Sequence, residues 1–421
     1  MTTGSPEIAG LVTEPPEDPG AAFLELRDGL PDVVDTPTAL LDAASRLAAG
    51  SGPVAVDAER ASGHRYSARA YLVQLRRRGA GTVLVDPIAF EDLSQLGSAL
   101  EDAEWVLHAA SQDLACLAEV GLRPRQLFDT ELAGRLLNHP KVGLASMVED
   151  LLGYRMRKEH SAADWSRRPL PETWLRYAAL DVELLVELRD VIAEQLREQG
   201  KVDWAEQEFA ALAAHSPALP RTEPWRRTSG IQRVRGRRGL AIVRELWESR
   251  DALARERDIA PGRLLKDAAI CGIATAQPPD RATLAALPAV RMRGSGRYLG
   301  RWLDAVDRAR RLPDAELPDF AARYEGPPPA RSWPERNPSA AARLALCREV
   351  MRELSDVHSV PVENLLAPDT VRRLAWAPPG NASEQEVAQL LRARGARNWQ
   401  IDLSARLLAH ALRADSSAPT R

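Results

Sequence analysis

Three cysteines in 421 residues, at positions 116, 271 and 347, are too few and too scattered for a disulfide framework or a cysteine-based zinc site. They read as inert core thiols of a protein in a reducing, cytoplasmic setting. No apolar run is long enough to span a bilayer, so no membrane role is expected. An excess of one charge sign is missing too. Lys and Arg total 56 against 59 Asp and Glu, a net charge of −3, so any nucleic-acid surface must come from local clustering. The first twenty residues hold no Lys or Arg, which excludes a signal peptide. Their Pro, Gly and acidic content predicts a disordered tail, taken as residues 1–30.

What is present describes a globular chain, 45% hydrophobic and 27% charged, long enough for two to four domains. Residues 31–215 alternate strand-like and helix-like segments. The apolar runs 53–57, 70–75, 82–86 and 104–109, with turn residues between them, predict strands, the first two forming a hairpin. Helical patterns follow at 91–101 and 111–120, and a longer one runs from Pro171 to Gln199 with Pro171 in its first turn. An α/β domain with a mixed sheet and a core of its own is expected.

Residues 216–236 hold no hydrophobic period and read as a linker. Its basic character, seven Arg and one Glu between Arg221 and Arg238, fits either a solvated connection or a phosphate-contacting strap. Beyond it no strand is predicted. A faint repeat appears at an offset of 101 residues, pairing Leu253 with Leu354, Ile259 with Val360, Ala274 with Ala375 and Tyr298 with Trp399. Two small helical domains, 237–314 and 337–415, are expected around a Pro-rich connector at 315–336.

The chemistry lies in the α/β part. Asp57 and Glu59 end an apolar strand and, being two apart, share one face. Asp113 follows a predicted strand where a helix begins. Tyr177 and Asp181 are one helical turn apart. Carboxylates against apolar sequence are costly unless paired or holding a metal, and four of them could form a hard, oxygen-only site for divalent cations. A phenol beside such a site is placed to orient or deprotonate a water. His108, in a buried strand, reads as a hydrogen-bonded core histidine, and Asp129, before a helical run, as an N-cap.

This set, DAE at 57–59, HAASQDL at 108–114 and YAALD at 177–181, resembles the DEDD 3′→5′ exonucleases of the tyrosine subgroup, and within them the ribonuclease D family. The stretch KEHSAADWSRRPL before Tyr177 is similar to that family's signature, with His at 160, Ala at 163 and Ala at 58 as departures. Residues 237–314 resemble the HRDC module, and 337–415 a divergent copy. The resemblance implies a ribonuclease H-like mixed sheet flanked by helices, followed by two all-α domains. It implies a two-metal hydrolysis, with one Mg²⁺ on Asp57, Glu59 and Asp181. The second would sit on Asp57, with Asp113 reached through water, and Mn²⁺ would substitute. It also implies RNA 3′ ends, such as tRNA precursors, as substrate and nucleoside 5′-monophosphates as product.

Lys158, His160 and Arg168 are candidate phosphate contacts, and Trp165 is a candidate stacking surface for a base. Arg291, Arg293 and Arg297, among glycines beside Tyr298, are candidates in the first helical domain. The rival readings are the same chemistry on DNA and a non-catalytic nucleic-acid scaffold. Retention of all four acids and Tyr177 speaks against the second.

Overall fold

The computed structural model describes residues 21–157, 163–214, 222–288, 290, 295–320 and 326–414. Strands in chain order are β1 (Ala22–Phe23), β2 (Val33–Val34), β3 (Ser51–Arg60), β4 (Ala70–Arg78), β5 (Gly81–Val85), β6 (Glu104–Leu107), β7 (Gln126–Asp129) and β8 (Tyr154–Arg155). Six form one sheet in the order β2-β5-β4-β3-β6-β7. The β3–β4 and β4–β5 pairs are antiparallel; β2–β5, β3–β6 and β6–β7 are parallel. The expected hairpin and mixed sheet are therefore present.

Between these strands lie α1 (Pro37–Ala49), α2 (Ser94–Ala99), α3 (Leu114–Glu119), α4 (Thr130–Leu136) and α5 (Leu144–Leu152). Then come α6 (Glu172–Glu183), α7 (Leu185–Glu198) and α8 (Val202–Ala213). Alternation along β3 sorts its side chains between two layers. Val54, Val56 and Ala58 join a core with Leu40, Leu47, Leu96 and Leu117 from α1 to α3. Ala55, on the other face, packs with Val182, Leu185 and Leu188. Asp57 and Glu59 continue that second face. The single helix expected from Pro171 to Gln199 is two, meeting at Leu184, which leaves the helical region with ψ of 9°. Pro171 is the N-cap of α6 rather than a first-turn residue.

The tail expected over 1–30 is corrected over its last ten residues, residues 1–20 lying outside the described residues. Residues 21–30 belong to the fold: β1 pairs in parallel with β8, Leu24 is buried, and Arg27 holds the buried Glu183 at 3.0 Å. Two strand residues leave no period to read in a sequence.

The helical half repeats as the offset predicted. α9 (Gly236–Arg257), α10 (Pro261–Leu264), α11 (Asp267–Ala276), α12 (Arg281–Ala286) and α13 (Leu299–Arg311) are followed by the short α14 (Trp333–Arg336). The same order then recurs as α15 (Pro338–His358), α16 (Val362–Leu365), α17 (Pro368–Trp376), α18 (Glu384–Ala393) and α19 (Asn398–Ala414). Two corrections concern the connections. From Pro224 the basic segment is part of the first repeat: Trp225 and Val234 are buried in its core. Arg226, Arg237 and Arg238 donate to the carbonyls of Asp319, Leu317 and Ala309 rather than lying free for phosphates. A lone Trp among Pro and Arg carries no hydrophobic period, so its burial was not legible. The Pro-rich connector likewise buries Trp333, whose indole donates to the Pro328 carbonyl at 2.8 Å.

Both repeats touch the α/β part. The β3–β4 loop donates from Tyr66 N and Ser67 N to Asp258 at the end of α9, at 3.2 and 3.0 Å. The second repeat shares a core with α7 and α8, with Trp399 stacked on Trp204 at 4.7 Å. Trp399 Nε1 also donates to Glu208, and Lys201 Nζ donates to the carbonyls of Leu136 and Ser359. The α/β core is thus not wholly its own. All three cysteines are buried and free, and among the described residues no helix is long and apolar enough to cross a membrane.

Candidate active site

The carboxyl ends of β3 and β6 open onto a cleft of about 290 Å³ whose lining includes Asp57, Glu59, Arg60, His108, Asp113, Tyr177 and Asp181. Carboxylate oxygens of Asp57, Glu59 and Asp181 lie within 4.8 Å of one another, brought together from β3 and α6. Asp113 stands outside that triad on the same cleft, buried, with Arg60 Nε 3.5 Å from its Oδ1. The five residues singled out in the sequence are therefore convergent.

Asp113 is aimed by its neighbours. β6 ends in Leu107, and Ala109 takes a left-handed backbone (φ 59°), costly for a residue with a Cβ. Asp129, at the end of β7, holds that turn. Its carboxylate accepts from the amides of Ala109 and Ala110 at 3.0 and 2.9 Å, and from those of Glu131 and Leu132 at 2.9 and 3.1 Å. The expected N-cap thus also clamps the turn that leads to Asp113. His108 makes the hydrogen bond expected, its Nδ1 2.9 Å from Thr130 Oγ1, but it follows the end of β6 and lines the cleft rather than sitting within a buried strand; burial pushes its pKa down to about 4.

The electrostatics match a cation site. Burial, then the charges of Asp57, Asp181 and Asp113, pushes the Glu59 carboxyl up to about 10. Burial, then Asp57, moves Asp113 up to about 8. Asp57 and Asp181 are raised as well, burial first in each case. Carboxyls so crowded resist ionising together, and hard oxygens at this separation suit a divalent cation. Tyr177 donates its hydroxyl to Asp181. Burial and the nearby acids raise its pKa, so the phenol remains a hydrogen-bond donor at neutral pH.

Arg60 was missed in the sequence. Strand alternation would turn it away from Glu59, but the ladder slips between these two residues, Tyr71 being the extra residue on β4. Arg60 consequently lines the acid cleft. Two substrate candidates are corrected. Trp165 is 0% exposed and packs on Trp174 at 5.4 Å, so it offers no face to a base. Arg168 is taken up by both oxygens of Asp86, at 2.6 and 2.7 Å, and by the Tyr71 carbonyl, which makes it a loop anchor. Arg297 is exposed beside Tyr298. Lys158, His160, Arg291 and Arg293 lie outside the described residues.

A mixed six-stranded sheet carrying such an acid cleft defines a 3′→5′ exonuclease, and a family model of that description matches residues 31–197. An HRDC domain matches 239–306, and a "3′ to 5′ exonuclease C-terminal domain" matches 326–412. Ribonuclease D of Gluconacetobacter diazotrophicus is 33% identical over 334 residues, covering 77% of this chain and 81% of that protein. Ribonuclease D of Acidiphilium cryptum is 32% identical over 82% of this chain and 86% of its own length. The chain belongs to the ribonuclease D family and is a 3′→5′ exoribonuclease. Among solved structures, a Bifidobacterium adolescentis protein is similar with a TM-score of 0.87 and 39% identity, over 93% of this chain and all of that one (100%). Escherichia coli RNase D, described as an exoribonuclease involved in structured RNA processing, has a TM-score of 0.67 and 25% identity over 91% and 98%.

Proposed function

We propose that Asp57, Glu59, Asp113 and Asp181 hold two Mg²⁺ ions, for which Mn²⁺ substitutes, and that the chain trims RNA 3′ ends with release of nucleoside 5′-monophosphates. The observation that carries this is the convergence of three carboxylates within 4.8 Å on one cleft. When bound, the ions supply charge that stabilises the attacking and leaving oxygens of the phosphodiester. The remaining work belongs to the chain. Tyr177, a donor anchored on Asp181, orients the attacking water. Arg60, a cation at the mouth of the cleft, takes the phosphate and balances Asp113. Asp129 keeps the turn before Asp113 in place.

The substrate we infer is the 3′ end of a structured RNA such as a tRNA precursor, processed in the cytoplasm. The helical repeats, 237–314 and 337–415, hold the RNA body while its single-stranded end enters the cleft. Exposed Arg297 is one contact of that rim. The test is a comparison of a 3′-extended tRNA with single-stranded DNA of matched sequence, in Mg²⁺ and in chelator. Stepwise 3′ shortening of the RNA in Mg²⁺ alone is expected. Preference for the DNA would replace this reading with a DNA exonuclease.

A further inference from the structure

A second cavity of about 290 Å³ opens directly beside the acid cleft and shares Tyr177 and Asp181 with it. Its floor is apolar, from Leu24, Met156 and Leu180, while Glu25 adds a hydrogen-bond acceptor and Arg157 and Arg176 add positive charge. Two of these residues, Leu24 and Glu25, precede the part of the chain matched by the exonuclease family. They are brought here by the β1–β8 pairing, in which Leu24 N donates to the Arg155 carbonyl at 2.8 Å.

Both residues of β1 are exposed, and Leu24, just past its end, is the one that turns inward. Phe23 is 54% exposed and Tyr154, on the paired strand, 41% exposed. The Arg157 guanidinium lies over the Phe23 ring at 5.2 Å. Exposed rings with an arginine at the lip of a cavity make a stacking and phosphate-contacting platform for single-stranded nucleic acid. The Glu25 carboxylate makes the cavity wall unfavourable to a phosphate and favourable to the N–H or O–H donors of a nucleoside. The volume, at the low end for small-ligand pockets, suits one nucleoside rather than a duplex.

We infer that the N-terminal segment 22–25, with Met156 and Arg157, is an RNA-binding element: the cavity receives a nucleoside flanking the scissile phosphate, and Phe23 and Arg157 stack and steady the strand beside it. The inference rests on the exonuclease reading, because continuity with the acid cleft is what identifies the occupant as part of the RNA substrate.

The test uses the full chain carrying Phe23→Ala or Arg157→Ala, both exposed changes that leave the Arg27–Glu183 anchor of the segment in place. Binding of a short fluorescent single-stranded RNA is measured by anisotropy with Ca²⁺ in place of Mg²⁺, alongside steady-state trimming in Mg²⁺ and thermal melting. For each variant, binding should weaken by about tenfold, the loss expected for one stacked base. KM should rise by a similar factor, with kcat and melting temperature unchanged, and Phe23→Trp should bind like the parent chain. Parent-like binding and KM in both alanine variants would overturn the inference. A parent chain that neither binds nor trims the RNA would instead overturn the exonuclease reading on which it rests.

Discussion

At the scale of single residues, the site is a balance between crowded negative charge and what neutralises it. Tyr177→Phe removes one hydroxyl and leaves the ring packed. Turnover should fall on the order of 10²–10⁴-fold while RNA affinity holds, as single-turnover kinetics and binding would record. Unchanged turnover would return Tyr177 to a packing role. The acids make a pH prediction with a definite sign. Glu59 and Asp113 have carboxyls raised to about 10 and about 8. Metal-stripped folded protein therefore binds more protons than the unfolded chain from about pH 4 upwards. Its stability falls as pH rises through that window, and Mg²⁺ should reverse the fall. Asp181→Asn should raise the melting temperature of stripped protein near neutral pH and remove much of the Mg²⁺ response. A melting temperature that climbs with pH in chelator above about pH 6.5, where the His108 contribution is complete, would contradict this. The acids and Tyr177 were legible because charge against apolar sequence has few explanations. Arg60 was not, because a one-residue slip in a ladder leaves no trace in composition or period. Trp165 misled for the opposite reason: an aromatic in a loop reads alike whether it faces a base or a core.

At the scale of elements, the clamp around Asp113 is the feature to test. Four backbone amides converge on the Asp129 carboxylate, two from the strained turn after β6 and two from the start of α4. Asp129→Ala leaves buried donors unsatisfied at both places. A loss of at least about 2 kcal/mol is expected in denaturant unfolding, with activity falling in the residual folded protein. A loss below about 0.5 kcal/mol would mean that the turn is held by other contacts. His108 behaves differently. Its folded pKa, lowered to about 4, lies below the unfolded value, so its contribution is complete above about pH 6.5 and is lost as pH falls towards 4. His108→Asn should flatten that part of the acid unfolding profile. The hairpin and the N-cap were readable from alternation and residue type. The break between α6 and α7 was not, since Leu184 carries no breaker chemistry and is set by how two helices meet the sheet.

At the scale of the whole molecule, the chain is less divisible than its sequence suggests. Among the described residues, the repeat at an offset of 101 residues appears as two runs of five helices in the same order. The second run completes a core with α7 and α8 through Trp399, Trp204 and Phe209, a contact between distant segments that no local pattern encodes. Truncation after residue 214 should therefore expose Trp204 and Phe209, lower the melting temperature and promote aggregation, besides removing any hold on structured RNA. A truncated chain that melts with the full one would contradict the shared core. The most direct test of the central claim is the fate of a 3′-end-labelled RNA. Full-length protein in Mg²⁺ should release the label at once as a single nucleoside 5′-monophosphate, and chelator or Asp57→Asn should abolish that release. Label recovered in 3′-terminal fragments of several nucleotides, or released equally by Asp57→Asn, would contradict the assignment of this cleft as a metal-dependent 3′→5′ exoribonuclease site.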